Sequence, residues 1–459
     1  MPVLDDALHA LERRVPVSLT SLSEWLRIPS ISTDPAAAAA CRSAASWITR
    51  ELRDIGFSCS FHETPGNPVV VARREKPGAR RILFYGHYDV QPVDPLPLWE
   101  SDPFEPVIVT LEDGRAAIRA RGAADDKGQF MTFVEACRAW IDTTGTLPLD
   151  VTVLIEGAEE IGSRFLPEFV ERNRDLLDCD LILACDTNMW DRDTPAITRS
   201  LRGLLQGEMI VRCADRDLHS GLFGGAAQNA VHVLCQLISK VQVDGRIALP
   251  NFYDAIEEPS QDLRAAWSRL GLDEAVFLGK VGLTRSIGEA DRMLAEHIQS
   301  RPSFDVNGIS GGYQGEGGKT VIAAEASAKV SFRLVANQDP EHVWASFERF
   351  MRAQMPVDCS LEFVRQNASR SFVLTEAADL TAVASALAAE WGRDPAIIGS
   401  GVSIPIISEF KRILGVDTLL IGFGQEDDRI HAPNEKYDVR SYRKGAASWV
   451  RILHELSSR

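Results

Sequence analysis

The apolar run Val151–Ile155 ends abruptly in Glu156-Gly157-Ala158-Glu159-Glu160. A short run of this kind reads as a strand buried on both faces. A carboxylate at the end of a buried strand is costly unless a partner compensates its charge. Two adjacent glutamates there ask for a cation or a proton, or else mark a solvated acidic turn. The pattern recurs along the chain. Arg81–Tyr85 runs into Gly86-His87-Tyr88-Asp89, and Leu181–Ala184 into Cys185-Asp186-Thr187. Thr418–Ile421 is followed by Gly422-Phe423-Gly424-Gln425 and then Ile430-His431-Ala432-Pro433-Asn434-Glu435. In open α/β sheets ligands bind outside the carboxyl ends of strands.

Helical periodicity over Leu4–Leu26 and Ala36–Ile55 precedes strands at Ser58–His62, Val69–Arg73 and Arg81–Gly86. Helices at Gly128–Asp142 and Leu166–Asn173 alternate with strands Val151–Ile155 and Leu181–Ala184, the α/β pattern. After Leu201 the texture changes. Strands are expected at Leu205–Cys213, Lys329–Val335 and Ser360–Val364, with helices at Gln228–Val241, Ser260–Leu270, Gly288–Gln299 and Glu341–Gln354. Gly311–Gly318 reads as a loop. Helix Ala377–Trp391, strand Thr418–Gly422 and helix Val439–Leu456 resume the first texture. We therefore divide the 459 residues into a first domain at 1–200 and 373–459, interrupted by an inserted domain at 201–372.

Composition narrows the function classes. Lys and Arg number 49 against 65 Asp and Glu, a net charge of −16, so no basic excess exists to neutralise nucleic-acid phosphates. None of the eight cysteines forms a Cys-x-x-Cys pair, which leaves a thiolate zinc site without support; most read as reduced core residues. No signal peptide and no apolar run long enough for a membrane span is visible, so a cytoplasmic location and no membrane partner are expected.

Among chemistry-bearing residues, Asp89 stands two residues from His87, close enough to hold the imidazole as a supporting carboxylate. In Arg121-Gly122-Ala123-Ala124-Asp125-Asp126-Lys127-Gly128, helix capping explains Asp126 but not the paired aspartates. Asp186 reads equally as a turn residue, and His431 alone as a surface-loop histidine. Taken together, two histidines and several carboxylates at strand ends suit zinc, manganese or cobalt. Two metals bridged by a carboxylate can activate one water and polarise a carbonyl, and a further carboxylate can serve as general base. Gly312–Gly318 lacks the Lys-Ser ending of a P-loop, and no Gly-x-Ser-x-Gly elbow surrounds any serine.

The motifs YGHYDVQP (Tyr85–Pro92), LWESDPF (Leu98–Phe104), RGAADDKG (Arg121–Gly128), EGAEEIGS (Glu156–Ser163), Cys185-Asp186-Thr187 and HAPNE (His431–Glu435) stand together in one order. In this the chain resembles the co-catalytic zinc peptidases that include carboxypeptidase G, aminoacylase, succinyl-diaminopimelate desuccinylase, carnosinase and cytosolic non-specific dipeptidase. The run Arg301–Ile309 and the Leu98-Trp99 loop resemble the dipeptidase and carnosinase branch.

The resemblance implies an α/β, phosphorylase/hydrolase-like catalytic domain with a central mixed, mainly parallel sheet, and an inserted α+β, ferredoxin-like lid that also forms a homodimer interface. It implies two divalent ions per subunit, zinc first, manganese or cobalt otherwise. His87, Asp125 and Asp186 would hold one; Asp125, Glu160 and His431 the other. Asp125 would precede a cis peptide, Asp89 would orient His87, and Glu159 would be the general base. In the lid, His219 would reach the partner subunit's site, bind substrate and stabilise the oxyanion, while Thr320 and Arg333 bind substrate together with Ser403 of the catalytic domain. The implied reaction is metal-dependent hydrolysis of dipeptides or small peptides with a free C-terminal carboxylate, by a metal-bridging water that Glu159 activates. The alternative on the same scaffold is an N-acyl-amino-acid amidohydrolase; a non-catalytic binding protein is the remaining reading.

Overall fold

Apolar strands with little polar relief must be covered on both faces, and they set the architecture of the first unit. In the computed structural model, which describes residues 2–375, 378–401 and 403–458, the chain divides into two units. The first comprises Met1–Arg199, Leu374–Ile398 and Glu409–Arg459; the second comprises Ser200–Val373 and Gly399–Ser408.

In the first unit the strands lie in the order Ser58–His62, Val69–Arg74, Asp150–Glu156, Arg81–His87, Leu181–Ala184, Thr418–Leu420 and Ala196–Leu201. The central pairings are parallel: Arg81–His87 with both Asp150–Glu156 and Leu181–Ala184, and Leu181–Ala184 with Thr418–Leu420. The flanking pairings are antiparallel. Helices Pro2–Leu26, Lys127–Thr144, Ala378–Trp391 and Val439–Ser457 pack together, and Ala38–Asp54 lies against the strands Ser58–His62 and Val69–Arg74. Phe84 of the sheet stacks on Phe133 of the helix Lys127–Thr144 with ring centres 3.6 Å apart. Trp449 meets both rings edge-on at 5.3 and 5.7 Å and is fully buried. This aromatic knot fixes the helix beginning at Lys127 against the strand that ends at His87.

The second unit runs strand Gly203–Arg212, helix Ala230–Ile238, strands Ser303–Gly311 and Glu325–Leu334, helix Pro340–Arg352 and strand Ser360–Ser369. Its antiparallel sheet has the order Ser303–Gly311, Glu325–Leu334, Gly203–Arg212, Ser360–Ser369. That succession is ferredoxin-like. Gly203–Arg212 alternates buried and less buried residues, as a strand with one covered face should. Gly207 sits on the covered face because Trp344 does: a Cβ there would lie 2.3 Å from the indole ring.

The structure departs from the sequence reading at several places. The expected helix Gly288–Gln299 is helical only over Leu294–Gln299. Glu289 is instead held by Arg301 through both carboxylate oxygens at 2.9 Å and by Arg246 at 2.7 Å, which pins its backbone outside a helix. Strand Ser303–Gly311 has no counterpart in the sequence reading because its alternation of Phe304 and Val306 with polar residues stops where the pairing register shifts before Gly308, and most of its residues are exposed. The hairpin strands Val107–Thr110 and Ala116–Arg119 also have no counterpart there: the first is mostly exposed, and the second, with Ala117 and Ile118 buried, is only four residues long. Gly399–Ser408, which the sequence reading leaves in the first domain, clusters with the second unit. Ala377, where the sequence reading starts a helix, lies outside the described residues. Among the described residues no helix is long and apolar enough to cross a membrane. Cys41, Cys137, Cys179 and Cys185 are buried, Cys59, Cys213 and Cys359 are half-buried, and Cys235 is exposed.

Truncating the centre of the aromatic knot should be costly. Trp449→Ala is expected to destabilise the first unit by about 3–5 kcal/mol. Chemical denaturation followed by circular dichroism checks this, and a loss below about 1 kcal/mol would contradict the role given to the knot.

Candidate metal centre

Parallel pairing brings several strand ends to one edge. Because Arg81–His87 and Asp150–Glu156 run in register, His87 lies opposite Glu156, and the turn carrying Glu159 and Glu160 begins beside it. Leu181–Ala184 flanks the same strand and delivers Asp186. Asp125 comes from the loop before helix Lys127–Thr144, and the Asp125–Asp126 peptide is cis. His431 comes from the loop after Thr418–Leu420.

The two oxygens of Asp125 face different histidines. Oδ1 lies 3.0 Å from His87 Nε2, and Oδ2 lies 2.8 Å from His431 Nε2. Asp186 Oδ2 is 4.0 Å from His87 Nε2, and Glu160 Oε2 is 3.2 Å from His431 Nε2. Among the described residues two groups of donor atoms could hold a metal ion: His87, Asp125 and Asp186, and Asp125, Glu160 and His431, each with all its donor atoms within 4.8 Å of one another. Asp125 belongs to both. The set is imidazole and carboxylate only, the chemistry of hydrolytic zinc and manganese sites.

The electrostatics need positive charge. Burial pushes Asp186 up to about 7, with Asp125 adding to the rise. Burial also raises Glu160 and lifts Glu159 well above the usual carboxylate range; Asp186, Glu160 and Asp125 push Glu159 further. Burial alone would lift Asp125 too, yet its hydrogen bonds to His431 and His87 outweigh that and hold it low. His431 is driven up to about 10 by Asp125 and Glu160. Burial opposes a charge on His87, but Asp125 and Asp89 overcome it. Carboxylates crowded in this way repel, and a divalent cation is the partner that relieves them. The residues therefore fit bound metal.

A frame of backbone contacts holds the donors. Asp89 Oδ1 lies 3.4 Å from His87 Nδ1, whose nearest acceptor is the Asp89 carbonyl at 3.0 Å. The Asp89 carboxylate also accepts the backbone N–H groups of Glu159 at 3.3 Å and Glu160 at 3.1 Å. One aspartate thus ties two strand ends. Gly157 lets this turn pass under Tyr88, since a Cβ there would lie 2.2 Å from the ring. Asp126 does not cap its helix, as capping would have it. Its carboxylate accepts the His87 backbone N–H at 3.2 Å and lies 3.4 Å from the Cys185 thiol.

Three supporting residues carry no role in the sequence reading. Buried Glu435 accepts from Arg121 Nη1 at 2.8 Å and from the backbone N–H groups of Gly122, Ala124 and Asp125 at 2.9, 2.9 and 3.1 Å. It stands four residues after His431, so it couples the two loops that meet at the centre. Gln91 donates to Glu160 Oε2 at 2.8 Å, and Gln129 Oε1 accepts from Phe423 N–H at 2.7 Å. The acidic end of His-Ala-Pro-Asn-Glu was the available signal for Glu435.

The other candidate residues, His219, Thr320, Arg333 and Ser403, lie in the second unit as two pairs. Exposed His219 accepts the Gly221 N–H on Nδ1 at 3.0 Å, and its neighbour Ser220 donates its N–H to the Thr320 carbonyl at 3.2 Å. Arg333 Nη1 donates to Ser403 Oγ at 3.0 Å, and that hydroxyl donates to the Arg202 carbonyl at 2.5 Å. Among the described residues no carboxylate lies within ion-pair distance of Arg333.

The family model described as peptidase family M20/M25/M40 matches residues 83–455. The chain belongs to that family. The Cys-Gly metallodipeptidase of Schizosaccharomyces pombe is 28% identical over 99% of this chain and 98% of its own length. Human Beta-Ala-His dipeptidase is 29% identical over 86% of this chain and 78% of its own. Among solved structures, the M20 family metallo-carboxypeptidase Sso-CP2 from Sulfolobus solfataricus aligns with a TM-score of 0.84 at 29% identity, covering 96% of this chain and 99% of that one. The mixed central sheet and separate antiparallel sheet are those of M20 structures.

If Glu435 sets the loop that presents Asp125, Glu435→Gln should weaken metal binding about 10–100-fold, as loss of supporting contacts around ligands does. Calorimetric titration of the metal-stripped protein with zinc or manganese reads this directly. Unchanged affinity would leave Glu435 as a fold residue only.

Proposed function

We propose that the protein is a metallodipeptidase whose centre holds two divalent cations sharing Asp125, zinc first and manganese or cobalt otherwise. His87 and Asp186 would complete one cation's protein donors, Glu160 and His431 the other's. The observation that carries this reading is the opposed placement of the two Asp125 oxygens, each facing a different histidine at 3.0 and 2.8 Å. Cations there would polarise the scissile carbonyl and lower the pKa of an attacking water.

Glu159 accepts the proton of the attacking water and returns it to the leaving amine. Its carboxylate has no hydrogen-bond or ion-pair partner among the described residues, whereas Glu160 is engaged by Gln91 and His431. Asp89 orients His87 and, through the backbone of Glu159, the base itself. The guanidinium of Arg333, steadied by Ser403 and without a carboxylate partner among the described residues, suits a peptide's terminal carboxylate, which a planar fork can grip through two bonds. Thr320 adds a polar contact to substrate, and His219 stabilises the oxyanion from the partner subunit of a dimer formed through the inserted domain. Similarity to the Cys-Gly and Beta-Ala-His dipeptidases supports dipeptides over N-acyl amino acids as substrates.

A panel of dipeptides and N-acyl amino acids, run with zinc, manganese and cobalt, tests the reading. Dipeptide turnover that disappears on chelation and returns with metal is expected; turnover of N-acyl amino acids alone would reassign the protein as a deacylase. Glu159→Gln should lower kcat about 10²–10⁴-fold while metal content, measured by elemental analysis, stays at the wild-type level. Retained activity would move the base elsewhere. His219→Ala should be impaired alone and recover part of its activity when subunits are exchanged with Glu159→Gln. An unrecovered mixture with proven exchange rejects the shared site.

A further inference from the structure

Outside the metal centre, one pair of reactive side chains is placed for covalent chemistry that the proposed hydrolysis does not use. Cys213 directly follows strand Gly203–Arg212, and Cys359 directly precedes strand Ser360–Ser369. These strands are antiparallel with Arg212 opposite Ser360, so the register puts Cys213 opposite Cys359. The two sulfurs are 2.7 Å apart.

The backbone explains why the side chains meet. The Cys213 N–H bonds to the Ala324 carbonyl at 2.9 Å, on the side away from Cys359. The Cys359 N–H turns back to Pro356 O at 3.4 Å. Towards each other the two residues are therefore a non-hydrogen-bonded pair, the class in which opposed Cα atoms approach to about 4.5 Å. That separation lies inside the range a disulfide spans, about 4.4–6.8 Å. Both side chains are half-buried, so a small reagent reaches them, unlike Cys41, Cys137, Cys179 and Cys185.

We propose that Cys213 and Cys359 are a thiol–disulfide modification site, oxidised reversibly by a low-molecular-weight disulfide, R–S–S–R. The Cys359 thiolate attacks one sulfur, forming Cys359–S–S–R and releasing R–S⁻, which takes up the proton that Cys359 lost. Cys213 then gives up its proton and displaces the second R–S⁻, closing the Sγ–Sγ bond. The protein loses two protons and two electrons; R–S–S–R becomes two R–SH. Excess thiol reverses both steps. The geometry does not distinguish the two sulfurs, and the same exchange runs with Cys213 attacking first and Cys359 closing the bond. The bond would clamp the end of strand Gly203–Arg212 to the start of Ser360–Ser369. From that strand end the chain continues to Asp217, which accepts the Ala324 N–H at 3.0 Å, and to His219.

The test uses the full chain, first reduced with dithiothreitol and then equilibrated with oxidised glutathione. Peptide mapping by mass spectrometry should show a Cys213–Cys359 linkage that excess thiol removes. Exposed Cys235, if it reacts, should carry only a glutathione adduct. Cys213→Ser should trap glutathione on Cys359 and Cys359→Ser should trap it on Cys213, and neither variant should give the linkage. Oxidation should raise the melting midpoint of the wild type by about 5 °C and leave both variants unmoved. Absence of the linkage in the wild type, or glutathione held on both cysteines without closure, would overturn the proposal. This readout needs no catalysis, and the wild-type mapping stands even if a variant fails to fold.

Discussion

The first unit is organised around a repulsion. Asp125, Glu160 and Asp186 converge with Glu159 at one sheet edge, where burial lifts Glu159, Glu160 and Asp186 and Asp125 is held low only by its two imidazoles. Two unit charges 4 Å apart interact by about 4 kcal/mol at an effective dielectric near 20. Several such pairs rival the whole stability of a domain, about 5–15 kcal/mol. A chain that keeps this cluster must hold it by force of structure and relieve it with positive charge. His87 and His431 supply part of the relief, and the donor set supplies the place for the rest.

The force of structure comes from carboxylates that take no part in the cluster's chemistry. Asp89, Asp126 and Glu435 each accept backbone N–H groups from the segments that carry the donors. Backbone N–H groups meet part of a carboxylate's demand for donors, so burial costs it less, and Glu435 has the buried Arg121 guanidinium as well. The same bonds fix the loops relative to the rigid parallel strands behind them. Acidic residues thus fall into two kinds at one edge: those aimed at backbone, which hold, and those aimed at one another, which wait for a cation. The aromatic knot of Phe84, Phe133 and Trp449 lies behind this edge and locks the strand ending at His87 to the helix that follows Asp125.

This division explains what could be read without coordinates. His87, Asp186 and the pair Glu159-Glu160 follow apolar strands, and strand ends are legible because buried parallel strands are continuous apolar runs. Glu435 and Gln91 carry no such mark. A single acid or amide in a loop looks like any surface residue until its partners are known: for Gln91 the Glu160 carboxylate, for Glu435 the Arg121 guanidinium and three backbone N–H groups. Asp126 shows the reverse error: its position before a helix suggests a cap, but the His87 amide binds it instead. In the second unit, the strand expected at Leu205–Cys213 is found over Gly203–Arg212, with one face covered. The alternation of Ser303–Gly311 breaks after Val306, which leaves too short a run to read. The segment after Gly288 has helical apolar spacing, yet the ion pairs of Glu289 with Arg301 and Arg246 override it.

Glu159 and Glu160 show how one turn separates two tasks. Their N–H groups go to the two oxygens of the same aspartate, so their backbones are held alike. Their side chains are not. Glu160 is gripped by Gln91 and faces His431, a setting that favours the ionised form of a carboxylate. Glu159 has no such partner among the described residues and is the more strongly raised of the two. A group engaged by hydrogen bonds resists taking a proton, and a group left without them does not. In the mechanism we propose, the carboxylate that the fold leaves unpartnered carries the proton from water to amine, and its neighbour stays charged on a metal.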